Sequence, residues 1–216
     1  GWFIRAKTER VGTVLYCHGN GGNLTNIDGI AQDLAAQGLD VLIFDYRGYG
    51  RSEGTIPDEN GLYADADAAY DFLINQRGVQ PEKLAIYGLS LGTTAAIDVA
   101  SRRKCGALVV ESGLSSASEM ADIALPWLPR WLHWVGRNRF ESARKIANVK
   151  CPVFVAHGTA DEVIPTEQGR KLFTAAPEPK KLMIIEGGDH WLSDTVGANY
   201  LKTVGAFISD ALKAGK

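Results

Sequence analysis

Cysteine is scarce: the 216-residue chain has three, Cys17, Cys105 and Cys151. An odd, widely spaced set of this kind fits neither a disulfide framework nor a zinc site. Cys17 lies inside an apolar run and Cys151 just before one, so both read as reduced, largely buried thiols, which favours a reducing, cytoplasmic setting. No apolar run approaches the ~18 residues of a membrane span, and no signal-peptide pattern is present. Membrane association of this chain is therefore not indicated. The chain opens Gly1-Trp2-Phe3-Ile4 without an initiator Met, the beginning expected of a processed or shortened product, so the lack of a leader or anchor carries no weight for the natural gene.

A surplus of positive charge is also missing. The formal net charge is −2, which argues against a general nucleic-acid binder. Basic residues gather only at Arg102-Arg103-Lys104 and Lys180-Lys181, read as solvated ends of secondary-structure elements. Three mechanistic motifs are absent: G-x-x-x-x-G-K-[ST], G-x-G-x-x-G and H-E-x-x-H. Neither a nucleotide site nor a catalytic metal is indicated, and no cofactor is called for.

The composition, 45% apolar and 22% charged, is that of an ordinary globular domain. Short, near-continuous apolar runs recur at Thr13 to Cys17, Val41 to Asp45, Leu84 to Tyr87, Ala107 to Glu111, Val153 to His157 and Leu182 to Ile185. Runs of that kind predict parallel strands covered on both faces. Amphipathic stretches separate them: Ile27, Ile30, Leu34 and Ala35 share a helical face that Gly38 ends, and Leu62, Ala66, Ala69 and Leu73 repeat the pattern. Ala95 to Arg103, Glu167 to Ala175 and Val196 to Leu212 continue it. The alternation predicts a single α/β domain over 1–216, an open, mostly parallel sheet of about six strands with helices on both faces. One segment, 117–149, breaks the rhythm as a helical insertion between the fourth and fifth strands. It would lie over the carboxyl edge of the sheet, where such sheets bind ligands.

The chemistry-bearing residues fall at strand ends. Gly88-Leu89-Ser90-Leu91-Gly92 follows the third strand and opens a helix, the context in which G-x-S-x-G forms a nucleophile elbow. A Ser hydroxyl needs a base. Of the four histidines, His190, in the turn after the last strand, follows Ser90 in the required order; His18, His133 and His157 read as structural or helix-surface residues. The base needs a carboxylate to hold its tautomer. Asp161, in the loop after the penultimate strand, is favoured over Glu111 at the end of the fourth, whose alternative reading is a loop anchor. Backbone donors for an oxyanion are expected at the amides of Leu91 and Asn20, with Gly21 as the fallback. In Asp45-Tyr46-Arg47-Gly48-Tyr49-Gly50-Arg51-Ser52, Asp45 and Arg47 are expected to tie down a tight loop, with Tyr46 at the rim of the site.

Taken together, H-G-N-G-G-N, D-Y-R-G-Y-G-x-S, G-x-S-x-G, V-E-S-x, H-G-x-x-D-x-x-x-P and G-x-x-H resemble the α/β-hydrolase superfamily over nearly the whole chain. They look most like the branch of small serine hydrolases that holds protein depalmitoylases and many bacterial esterases. The resemblance implies a Ser90–Asp161–His190 triad, an oxyanion hole at Asn20 and Leu91, no cofactor, and hydrolysis of a small acyl ester or thioester. Two departures stand out. The N-terminal antiparallel hairpin of the fold is largely missing, only Gly1 to Arg5 remaining, which would leave a bare sheet edge. Gly113 stands where the family often has Pro, which would loosen the loop after Glu111. In the insertion, Trp127 and Trp131 share a helical face with Trp134. They either form a lid that lines the substrate site or simply pack the insertion onto the domain. Amide or peptide hydrolysis on the same triad, and a catalytically silent binding module, are the alternative functions. Oligomeric state is not legible.

Overall fold

The computed structural model describes residues 1–20, 23–124 and 138–215. In chain order these form β1 (Trp2–Ile4), β2 (Gly12–Cys17), α1 (Leu24–Ala36), β3 (Leu39–Ile43), α2 (Glu59–Asp71), β4 (Leu84–Leu89), α3 (Gly92–Arg102) and β5 (Ala107–Glu111). There follow α4 (Ala117–Ala124), α5 (Ser142–Ile146), β6 (Val153–Gly158), α6 (Thr166–Ala175), β7 (Lys180–Ile185), α7 (Leu192–Val196) and α8 (Ala198–Ala214). The strands make one sheet in the order β1-β3-β2-β4-β5-β6-β7. All neighbours are parallel except β1 and β3.

The six expected strands are present, shifted by a residue or two at their ends. The second runs Leu39–Ile43 and the third continues to Leu89. The seventh, β1, was not anticipated as a strand, being too short to show a period. Trp2, Phe3 and Ile4 pair with Ile43, Leu42 and Val41, so the β3 edge is covered rather than bare.

The central strands are buried throughout, because helices cover both faces. On one face α1 and α8 bring Ile27, Leu34, Val204 and Ile208 against Val14, Val41 and Phe154. On the other, α2, α3 and α6 bring Leu62, Ile97 and Leu172 against Leu15, Ile86 and Val110. Each fully buried aliphatic side chain contributes roughly 1.5–3 kcal/mol. Local signals start and stop the helices. Asp58 caps α2 by accepting from the Gly61 N–H at 2.9 Å, and Gly38 leaves α1 at φ +86°.

The basic clusters lie at the end of α3 and the start of β7, partly exposed and partly paired. Arg102 pairs with Asp67 and Asp98, and Arg103 with Asp71. Lys180 donates to the Phe173 and Ala176 carbonyls at the end of α6, 2.9 and 2.7 Å away, where the helix dipole favours a cation. Cys17, Cys105 and Cys151 are all free thiols, and the fold brings Cys105 Sγ to 3.3 Å from Cys151 Sγ. That approach is invisible in their sequence spacing.

Everything at the carboxyl edge depends on α3 lying tight against β2. A Cβ on Gly92 would stand 2.0 Å from the Cys17 carbonyl oxygen and 2.5 Å from that of His18. Both obstacles are backbone, at the end of β2 and just beyond it, so neither yields easily. Gly92→Ala is expected to destabilise the domain by at least about 3 kcal/mol. Urea unfolding measures this, and an unchanged midpoint would contradict the packing described.

Candidate active site

Ser90 sits where β4 turns into α3. Its φ is +53°, a left-handed conformation that a non-glycine residue holds only when its surroundings impose it. Three hydrogen bonds do so. The Ser90 N–H donates to the Glu111 carbonyl at 2.9 Å, and the Ser90 carbonyl accepts from the Thr93 N–H at 3.0 Å and Thr93 Oγ1 at 2.6 Å. A Cβ on Gly88 would lie 2.5 Å from Thr93 Cα, so the turn needs glycine on both sides of the serine. Ser90 itself is 8% exposed.

His190, in the turn between β7 and α7, donates from Nδ1 to Asp161 Oδ2 at 2.8 Å. This leaves Nε2 as the free lone pair of the ring. Asp161 Oδ1 accepts from the N–H groups of Val163 and Ile164 at 2.9 and 2.8 Å. His157 Nε2 lies 3.2 Å from Asp161 Oδ2 and donates to the Ile164 carbonyl at 2.8 Å, so this histidine supports the acid from below. Burial works to raise the Asp161 pKa, but hydrogen bonds from His157, His190 and the Ile164 N–H outweigh it and hold the carboxyl well below its usual range. It is Asp161, and not Glu111, whose carboxylate meets the imidazole.

Among the described residues no hydrogen bond joins Ser90 Oγ to the His190 ring. The two are tied through residues 111 and 112 instead. Ser112 Oγ donates to the His190 carbonyl at 3.1 Å, next to the residue whose carbonyl holds the Ser90 N–H. The loop expected to be loosened by Gly113 is in fact buried from Glu111 to Ser115. A Cβ on Gly113 would collide with Val110, 2.8 Å away, and Leu172, 2.9 Å away, so glycine here tightens the loop.

On the opposite side, the turn after β2 passes directly beneath the serine: a Cβ on Gly19 would stand 3.1 Å from Ser90 Cβ. The N–H groups of Asn20 and Leu91 have no acceptor among the described residues. Tyr49 Oη donates to Asn20 Oδ1 at 2.6 Å and Tyr46 Oη to the His18 carbonyl at 3.3 Å. His18 donates from Nδ1 to the Gly19 carbonyl at 2.8 Å, and burial lowers its pKa, which keeps the ring neutral.

One expectation changes here. Tyr46 is fully buried among His18, Phe44 and Tyr49, so it supports the turn from within and does not line a rim. Arg47 pairs with Asp65 at 2.6 Å and Asp45 accepts from the Leu24 N–H at 3.1 Å, so both fasten the loop. Tyr49 as the partner of Asn20 was missed, as was Trp191, half-exposed and edge-on to the His190 ring at 5.5 Å. Adjacency to the motif residues was the only available signal. Gly21, His133, Trp127, Trp131 and Trp134 lie outside the described residues. The ends of the insertion are anchored: Glu119 accepts from Ser115, Gln168 and Lys171, and the Arg139 N–H donates to Glu59. Among the described residues no three His, Cys, Asp or Glu side chains converge as metal ligands.

A serine on a strained strand–helix turn, a histidine held by a buried carboxylate after the next strands, and this strand order together define one class of fold. The chain belongs to the α/β-hydrolase family, whose profile, described as the alpha/beta hydrolase fold, matches residues 12–150. It is 38% identical to the protein Rv2307c of Mycobacterium tuberculosis over 191 residues, 88% of this chain and 67% of that protein. It is 35% identical to alpha/beta hydrolase domain-containing protein 17C of Homo sapiens over 212 residues, 97% of this chain and 62% of that protein. The chain thus spans about two thirds of the length of these relatives. The monoacylglycerol lipase of Paleococcus ferrophilus superposes with a TM-score of 0.75 at 19% identity, covering 97% of this chain and 98% of that one. Among the described residues no helix is long and apolar enough to cross a membrane.

The environment of Asp161 has a measurable consequence. Its carboxyl titrates near 3.8 when unperturbed and lower in the fold, so its charge contributes stability above about pH 4 that is lost as the pH falls further. Thermal melts of the native chain should weaken steeply below about pH 4, and Asp161→Asn should be less stable at pH 7 with a flatter acid side. Parallel acid sides in the two proteins would rule out the pairing as the cause.

Proposed function

We propose that the protein is a serine hydrolase of carboxylic esters that works through an acyl-enzyme. The observation that carries the reading is the His190–Asp161 pair, tied through Ser112 and Glu111 to a turn where Ser90 is held at φ +53°, next to two N–H groups with no acceptor among the described residues. Ser90 Oγ attacks the ester carbonyl carbon as His190 Nε2 takes the hydroxyl proton. The carbonyl oxygen gains negative charge and is met by the N–H groups of Asn20 and Leu91, backed by the positive end of α3. The imidazolium gives its proton to the leaving alkoxide as the tetrahedral intermediate collapses. A water then repeats the sequence on the acyl-enzyme, releasing the acid and restoring Ser90. The role of Tyr49 is to hold the Asn20 side chain, and that of His157 to hold Asp161. The α/β-hydrolase family and the lipase-like fold support this reading, and the three free thiols support a reducing, cytoplasmic compartment.

The test is Ser90→Ala. Hydrolysis of p-nitrophenyl esters should fall by at least ~10⁴-fold in kcat/KM with an unchanged melting temperature, and a fluorophosphonate should label the native chain at Ser90 only. Absence of an adduct on the native chain would favour a binding module, and turnover of anilides above esters an amidase. The insertion at 117–149 is proposed to be a lid over the acyl group. Trp127→Ala and Trp131→Ala should then shorten the preferred acyl chain, whereas lost stability with an unchanged chain-length profile would assign both to packing.

A further inference from the structure

Glu111 is a carboxylate with no part in the mechanism so far, and its position is costly. It ends β5, paired with Leu89 of β4 and Ala156 of β6, and is 1% exposed. A buried carboxyl is unfavourable unless its surroundings compensate, and an apolar residue would fill such a place more readily. The compensation here is deliberate but incomplete. Tyr87 Oη donates to Glu111 Oε2, and Tyr200 Oη lies 3.2 Å from Tyr87 Oη. Glu111 Oε1 and Tyr16 Oη are buried with no hydrogen-bond partner among the described residues, although the Leu192 N–H at the start of α7 favours charge on the carboxyl.

The backbone around this side chain connects both halves of the candidate site. The Glu111 carbonyl holds the Ser90 N–H. Ser112, at φ +47°, donates its N–H to the Ala156 carbonyl at 3.0 Å and its Oγ to the His190 carbonyl at 3.1 Å. The end of β5 that carries the carboxyl is therefore joined through Ser112 to the His190 turn, and His190 favours charge on that carboxyl.

On the reading that His190 is the base, we propose that Glu111 is a positioning residue for it: a second, core-side carboxylate that stabilises the imidazolium through space while Asp161 does so by direct hydrogen bond. The proton stays on His190, and Glu111 supplies only field. Burial raises the Glu111 pKa and the Tyr87, Tyr200 and Leu192 hydrogen bonds lower it, leaving it at about 7. The carboxyl is then ionised on the alkaline side of neutrality, where the reaction needs it, and neutral in acid. The other ionisable groups around the pair are Tyr16 of β2, Tyr87 of β4 and Tyr200 of α8 facing Glu111, Asp161 and His157 on the Asp161 side, and Asp194 of α7, which acts on Tyr16. Buried tyrosines stay neutral, since burial raises the pKa of Tyr16, Tyr87 and Tyr200.

Glu111→Gln keeps an acceptor for Tyr87 and removes the charge. The ratio of native to variant kcat should be about 5–10 at pH 8.5 and fall towards 1 below about pH 6, with KM within about twofold and a melting temperature no lower than native. Tyr87→Phe, which withdraws the hydrogen bond that favours ionised Glu111, should move the pH at which that ratio changes upward. NMR of the His190 ring reads the coupling without turnover: the ring should take up its proton at lower pH in Glu111→Gln than in the native chain. A kcat ratio that does not vary with pH, or an unmoved His190 titration, overturns the proposal and leaves Glu111 a structural anchor. A native chain that hydrolyses no ester defeats the hydrolase reading instead, and the His190 titration still decides the role of Glu111.

Discussion

The contact between the first turn of α3 and the end of β2 is the constraint on which the rest of the site hangs. Because Gly92 lies against the Cys17 and His18 carbonyls, α3 starts directly over the sheet edge and Ser90 is forced into a left-handed turn. The same closeness brings Gly19 against Ser90. The Ser90 turn, the turn after β2 and the start of α3 thus share one origin. A looser packing of a single helix would disperse all three.

Two buried carboxylates end up in opposite states through the same set of forces. Asp161 collects hydrogen bonds from two backbone N–H groups and two histidines, so ionisation wins over burial. Glu111 draws on Tyr87, Tyr200 and the Leu192 N–H, but burial outweighs them and its pKa rises. The balance between burial and hydrogen-bond donors separates a permanent charge from a conditional one.

Much of this architecture was legible in the sequence, and for identifiable reasons. Strands buried on both faces must be apolar along their whole length, so Val153 to His157 and its counterparts stand out. The elbow, Asp161 and His190 fall at strand ends in a fixed order that sequence preserves. What escaped notice depends on contacts between distant positions. The three residues of β1 carry no period. Tyr46 and Tyr49, three residues apart in one loop, both enter the core, where one hydroxyl reaches the His18 carbonyl and the other Asn20, which only the path of that loop decides. Glu111 finds Tyr87 across 24 positions and Tyr87 finds Tyr200 across 113, and Gly113 looked loose until the side chains of Val110 and Leu172 filled the space around it.

The anchoring of the insertion carries a further consequence for how such a protein can change. Its described ends are fastened to α6 and α2 through Glu119 and Arg139, whereas the hydrogen bonds that hold Ser90, Asp161, His190 and Asn20 come from other parts of the chain. The C-terminal end of the segment is bound to the core through Ile146 and Val149, but sequence change between Glu119 and Arg139 can accumulate while the hydrogen bonds at the strand ends stay as they are.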